Sequence, residues 1–145
     1  MRSVVDLFEI IAEVRQVSIH NRLPDVLQIQ ADRNRIQQIT ANLLDNAIKY
    51  SRLGGSIDVS AHEDGPFAVI VVTDQGIGIA PEEINQIWDR LYRGDRSRSK
   101  RGLGLGLSLV RAIVEAHGGQ VKVESRLDEG STFSVMLPKT GLFLN

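Results

Sequence analysis

The sequence predicts a two-layer α/β (α+β) sandwich, a mixed, mainly antiparallel sheet with helices on one face. The hydrophobic periodicity runs in the order helix, two strands, helix, two strands, short helix and loop, helix, two strands. The stretch from Phe67 to Val72 is apolar on both faces, as the central strand of a covered sheet must be. No internal repeat or low-complexity linker breaks the 145 residues, so 1–145 is read as a single domain with one core.

Composition narrows the function classes. At 42% hydrophobic and 24% charged residues, the chain can bury a real core. No apolar run approaches the roughly 20 residues of a membrane span, and the N-terminus lacks the order of a signal peptide. A soluble domain without membrane contact of its own is expected. With no cysteine there are no disulfides or thiolate metal sites, and the three histidines are scattered. The net charge is −1, yet Arg90, Arg93, Arg96, Arg98, Lys100 and Arg101 stand together against Asp95. Positive charge confined to one loop, without interleaved aromatics, argues against nucleic acid and for a local anion.

Taken in order, Ser3 to Val17 spaces Val4, Leu7, Phe8, Ile11, Ala12 and Val14 as an amphipathic helix whose stripe should be core. Ser18 to Leu23 and Val26 to Gln30 alternate as strands around Pro24 and Asp25. Asp32 suits the N-cap of a helix running from Arg33 to Tyr50, and Ser51 to Gly55 closes that helix with a glycine turn. Ser56 to Ala61 alternates as a half-buried strand, and Glu63 to Pro66 makes the turn into the central strand. Pro81, with Glu82 and Glu83 behind it, should open a short helix through Ile84 and Ile87, with Trp88, Leu91 and Tyr92 as apolar anchors. Residues 94–101 read as a loop. A helix over 103–117 follows, closed by His117, Gly118 and Gly119, where His117 fits a partner for the helix dipole better than a catalyst. Val121 to Ser125 and Thr132 to Leu137 should form a last hairpin with Phe133, Val135 and Leu137 inward, and a tail from Pro138 on.

Three stretches carry chemistry. Gly102, Leu103, Gly104, Leu105, Gly106 and Leu107 open an apolar helix, and a helix N-terminus offers unpaired N–H groups and a positive dipole end to phosphate. A flexible helix entry or tight packing would also explain them. They follow a charged loop rather than a strand and lack a Gly-Lys-Ser/Thr ending, so neither a Rossmann fingerprint nor a Walker loop fits. On the helix from Arg33, at about 100° per residue, Asn42, Asn46, Lys49 and Tyr50 share one side and Ile36, Thr40, Leu43, Leu44 and Ala47 the other. A solvated face is the bland explanation. Asparagine is a mediocre helix former, however, and two at i and i+4 beside a lysine point to a function. Asp74, Gly76 and Gly78 end the most buried strand, a favoured place for a ligand, although such a sequence also makes ordinary turns.

These residues resemble the boxes of sensor histidine kinases. The stretch 42–50 resembles the N box, 74–79 the G1 box, 87–93 the F box and 102–107 the G2 box, with Gly130 to Phe133 at the end. Four boxes in this order are specific, and the chain is identified as similar to the catalytic and ATP-binding domain of a two-component kinase. The resemblance implies the Bergerat fold shared by gyrase, Hsp90 and MutL, with ATP and Mg²⁺ as cofactors. It implies that Asp74 accepts the adenine exocyclic amine with Thr132 helping through a water, while Gly76 and Gly78 let the backbone approach the base. Asn46 would hold Mg²⁺ with help from Asn42, an amide oxygen being a hard ligand that adds no charge beside a triphosphate. Lys49 would contact phosphate, Tyr50 would pack near the nucleotide, and Gly102, Gly104 and Gly106 would donate backbone N–H groups. Ile79, Tyr92, Leu103, Leu105 and Leu107 complete the nucleotide-binding set. Residues 94–101 would be the ATP lid, and Arg93 the candidate to reach the γ-phosphate.

Related hydrolases place a glutamate at the position of Asn42 to activate water, and an amide cannot take that proton. Asn42 therefore argues for transfer to a protein side chain, with Asn42, Asn46, Lys49 and Arg93 as the catalytic set. The F box departs from the family in carrying Trp88 and Leu91 where phenylalanines are usual. The phosphoacceptor pattern, with proline five positions after histidine, is matched by neither His20 and Pro24 nor His62 and Pro66. The acceptor is expected on a separate histidine-bearing dimerisation domain of a longer protein, with a response regulator as an indirect partner and this domain alone a monomer. The alternatives are a nucleotide-binding regulatory module without transfer, and a serine kinase of the anti-sigma type on the same fold.

Overall fold

The computed structural model of the protein describes residues 2–24, 33–89 and 106–139. Helices α1 (Arg2–Val14), α2 (Arg33–Tyr50) and α3 (Gly106–Ala116) alternate with strands β1 (Ser18–Arg22), β2 (Ser56–Asp64), β3 (Phe67–Asp74), β4 (Gln120–Arg126) and β5 (Gly130–Pro138). The expected strand at 26–30 and the N-cap Asp32 lie outside the described residues, as do residues 90–105 and 140–145.

The strands form one sheet in the order β1-β2-β3-β5-β4, with β1 parallel to β2 and the other pairs antiparallel. The strand read as apolar on both faces is the central one. Side chains alternate across a strand, so Ile57, Val59 and Ala61 of β2, Ile70 and Val72 of β3, and Phe133, Val135 and Leu137 of β5 reach one face. There they meet Ile39, Leu43, Leu44 and Ala47 of α2 and Val110, Ile113 and Val114 of α3. Thr40, buried on the same side of α2, donates its hydroxyl to the Ile36 carbonyl at 2.9 Å, which satisfies its one polar group. This leaves Asn42, Asn46 and Lys49 on the less buried side of α2, as the helical spacing predicts.

The connections follow their residues. The β2–β3 hairpin closes by pairing Asp64 with Phe67 across Gly65 (φ 57) and Pro66, so β2 runs past the alternating stretch that ends at Ala61. Helix α3 stops where Gly118 turns left-handed (φ 75) and the Gly119 N–H reaches the Val114 carbonyl at 2.9 Å. Nδ1 of His117 lies 2.7 Å from the Ile113 carbonyl oxygen, a C-terminal partner as expected.

Three expectations are corrected. The stripe of α1 is only partly core. Of its residues Ala12 is fully buried and Val4 and Phe8 pack against the core, whereas Leu7, Ile11 and Val14 are exposed; Val5, outside the expected stripe, is fully buried. The buried set meets α2 and β1, and one flank of a helix cannot serve both sides. Residues 81–88 are not an α-helix. Their backbone bonds run Glu83 N–H to Ala80, Gln86 N–H to Glu83 and Asp89 N–H to Gln86, a chain of single turns at i→i−3. A segment this short has too little helical stability of its own. Its shape follows its anchors, the buried Ile87 and the half-buried Trp88, whose ring meets Phe133 edge-on at 5.8 Å and 84°. The tail also begins later than Pro138. That residue closes β5, and the Lys139 N–H donates to the Pro66 carbonyl at 2.8 Å. Among the described residues no helix is long and apolar enough to cross a membrane.

Candidate functional site

One end of the sheet carries a row of core-side residues that the strand registers fix. Ile57 of β2 stands opposite Asp74 of β3, Asp74 opposite Ser131 of β5, and Ser131 opposite Ser125 of β4. Asp74 is 6% exposed, a rare position for a carboxyl group. Its Oδ1 accepts the Gly76 N–H at 2.9 Å, and the Ser131 backbone N–H is a second donor. Burial pushes the Asp74 carboxyl above its ordinary pKa, and the two backbone donors hold part of that shift back. With two described backbone donors, a carboxyl group of this kind keeps acceptor capacity in reserve.

The segment 75–79 beyond Asp74 is gripped on both sides. The Ile77 N–H donates to the Tyr50 carbonyl at 3.1 Å, while the Asp128 N–H donates to the Ile77 carbonyl at 2.7 Å and the Ile79 N–H to Ser125 Oγ at 2.8 Å. The fit depends on two glycines. A Cβ on Gly76 would overlap the Tyr50 carbonyl oxygen, and one on Gly78, which also holds φ +72, would overlap the Arg126 carbonyl. Gly76 and Gly78 thus bring the backbone close to the end of α2 and to the β4–β5 turn. Arg52 and Asp128 close over the outside with a 3.1 Å ion pair.

Beside this loop runs the half-buried polar face of α2. Nδ2 of Asn42 is buried and finds no hydrogen-bond partner among the described residues, an orphan that wants an acceptor. The same amide lies 3.9 Å from where a Cβ on Gly106 would stand, so the first turn of α3 faces Asn42. That distance is ordinary contact, and the described neighbours do not demand a glycine there. Lys49 pairs with Asp45 at 2.8 Å and keeps donors to spare, being a three-donor ammonium. Tyr50 is half-buried, and Ile79 and Leu107 pack against the core. No group of three or more His, Cys, Asp or Glu that could hold a metal exists among the described residues. A cation here would rely on amide oxygens, water and the ligand's own oxygens, which is how Mg²⁺ is held beside phosphates. The neutral amides of Asn42 and Asn46 fit that donor set.

Thr132 does not join the site. It pairs with Thr73, neighbour of Asp74, and its hydroxyl lies 3.3 Å from that of Thr73 on the opposite face of the sheet. Ser131 occupies the place expected of Thr132, beside Asp74. The signal was present in the strand period, because inward Phe133, Val135 and Leu137 put 131 inward and 132 outward. Ser125 was reachable by the same parity only once the hairpin register was known. Tyr92, Arg93, Gly102, Leu103, Gly104 and Leu105 lie outside the described residues.

An open mixed sheet with a buried carboxyl at its end, a glycine-gated loop behind it and a polar helix face alongside defines an ATP-binding domain of the Bergerat type. Residues 31–141 match the family of histidine kinase-, DNA gyrase B- and HSP90-like ATPases, and the chain belongs to that family, on its histidine kinase side. It is 45% identical over 117 residues to the histidine protein kinase DivJ of Caulobacter vibrioides, covering 79% of this chain and 19% of that protein. The chain thus spans about one fifth of that relative's length. Among solved structures, the mycobacterial sensor histidine kinase MprB superposes with a TM-score of 0.82 at 31% identity, covering 97% of this chain and 95% of that one. Full-length ShkA in complex with AMPPNP superposes with a TM-score of 0.83 at 30% identity, over 94% of this chain and 28% of that one.

Proposed function

We propose that the chain binds Mg·ATP between the loop 74–79 and the facing sides of α2 and α3, and donates the γ-phosphoryl group to a histidine on a separate dimerisation domain. The observation that carries this reading is Asp74. A buried carboxyl whose only described donors are backbone N–H groups has acceptor capacity left, and the adenine exocyclic amine supplies the matching donor. Similarity to a kinase solved with AMPPNP supports the same pocket.

In this reading Asp74 orients the base, and Ser131, rather than Thr132, is the hydroxyl beside it. Gly76 and Gly78 keep the loop flat against its two supports. Asn42 would give its orphaned Nδ2–H to a phosphate oxygen and the Asn46 amide oxygen would hold the cation, with Lys49 shared between Asp45 and phosphate. Mg²⁺, when bound, neutralises charge on the phosphate oxygens. Tyr50 and Ile79 exclude water from the base. As the family resemblance implies, Gly102, Gly104 and Gly106 are assigned to the phosphates, Tyr92 to the nucleotide and Arg93 to the γ-phosphate.

The transfer forms a bond from the acceptor imidazole nitrogen to γ-phosphorus as the bond to the β-bridging oxygen breaks, releasing ADP. Positioning and charge neutralisation supply most of such a barrier reduction. Asn42 cannot act as a base towards water, which favours transfer over hydrolysis. The acceptor histidine, the response regulator downstream of it and a cytoplasmic, monomeric state for this domain belong to the same proposal. Calorimetric titration of ADP and AMPPNP, with and without Mg²⁺, tests it. Micromolar to submillimolar binding strengthened by Mg²⁺ is expected, and no binding would overturn it.

A further inference from the structure

The Ser125 hydroxyl is fully committed. It accepts the Ile79 N–H at 2.8 Å, donates to the Gly130 carbonyl at 2.9 Å and lies 2.8 Å from Ser131 Oγ. A hydroxyl has one proton and two lone pairs. Its proton goes to Gly130, since a carbonyl can only accept, so Ser131 must donate to Ser125. This single assignment ties both ends of the base loop together. Asp74, at the start, is held through the Ser131 backbone N–H, and Ile79, at the end, through Ser125 itself.

We propose that Ser125 is a positioning residue for the nucleotide site, setting the spacing between the Asp74 carboxyl and the backbone at Ile79 that frames the base. The inference rests on the nucleotide reading above. Ser125 touches no ligand in this account and acts through Ile79 and Ser131. Loss of its oxygen leaves the Ile79 N–H, the Gly130 carbonyl and the Ser131 hydroxyl all seeking partners, and the loop then relaxes away from the geometry in which Asp74 meets its donor. Threonine keeps the oxygen and is favoured in a strand.

The test compares the parent, Ser125→Ala and Ser125→Thr by ADP titration at a temperature well below melting, together with amide exchange at Ile79. The alanine variant should weaken ADP binding about tenfold. The threonine variant should stay within about threefold of the parent, and Ile79 should exchange slowly in the parent and faster in the alanine variant. A merely structural role would lower Tm in the alanine variant and leave its ADP affinity at the parent's value, which would overturn the proposal. So would an Ile79 amide in the unliganded parent that exchanges as fast as an open loop, whether or not the alanine variant folds. A parent that binds no ADP would overturn the nucleotide reading as well, and is distinguished by failing before any substitution is made.

Discussion

Replacing Asp74 with asparagine separates what the buried carboxyl does for a ligand from what it costs the fold. The side chain keeps its shape and one acceptor oxygen, so the Gly76 N–H can remain bonded. What changes is the outward edge, where an acceptor is exchanged for an NH₂ that meets the adenine amine donor to donor. Losing a charge-assisted hydrogen bond and burying a mispaired donor together cost about 3 kcal/mol, or roughly 150-fold in ADP affinity.

The same substitution reads out the proton. Because burial raises the Asp74 pKa in the fold, the native state holds a proton in the interval where the unfolded chain has released it. Stability from this group is therefore full below the unfolded-chain pKa and is lost as pH rises through the folded one. The asparagine variant has no such term. The Tm of the parent relative to the variant should rise as pH falls through that interval, while ADP binding by the parent weakens over the same range as the carboxylate is protonated. Calorimetry and melting, each run from pH 4 to 8, measure both. A variant that binds ADP within about threefold of the parent would refute the role given to Asp74, and a Tm difference independent of pH would refute the burial account.

Two further substitutions probe the frame. Asn42→Ala removes a buried amide nitrogen without a partner among the described residues and installs a better helix former, so stability should rise by about 1 kcal/mol while binding of Mg·AMPPNP falls; a drop in Tm would show that the amide is paired in solution. Gly78→Ala must hold φ +72 and overlap the Arg126 carbonyl, which should destabilise the domain by about 3 kcal/mol in denaturant melts and weaken ADP binding, whereas a neutral result would mean that the loop has room to move.

Most of the fold was legible because two periods carry it. The double-sided apolarity of 67–72 put β3 at the centre, and the split of α2 into Ile36, Leu43 and Leu44 against Asn42, Asn46 and Lys49 placed a polar face beside the sheet end. The misses have physical causes. A helical pattern counts Ala12 and Val14 alike, but Ala12 meets the core and Val14 does not. Proline and two glutamates mark a helix start at Pro81 whether or not enough residues follow to make the helix stable. The family resemblance points to Thr132 within the Gly130 to Phe133 motif, whereas strand parity, a stronger physical constraint, puts Ser131 beside Asp74. The role of Ser125 depended on which strand lies next to β5, and that pairing is tertiary.

The central claim is phosphoryl transfer, and its most direct measurement supplies a histidine-bearing dimerisation domain from a kinase of this family and γ-labelled ATP with Mg²⁺. The account predicts acid-labile, base-stable label on that domain, reduced by Asp74→Asn and absent when the acceptor histidine is replaced by alanine. Tight Mg·ATP binding with no label on any partner domain presented would contradict it and leave a nucleotide-sensing module.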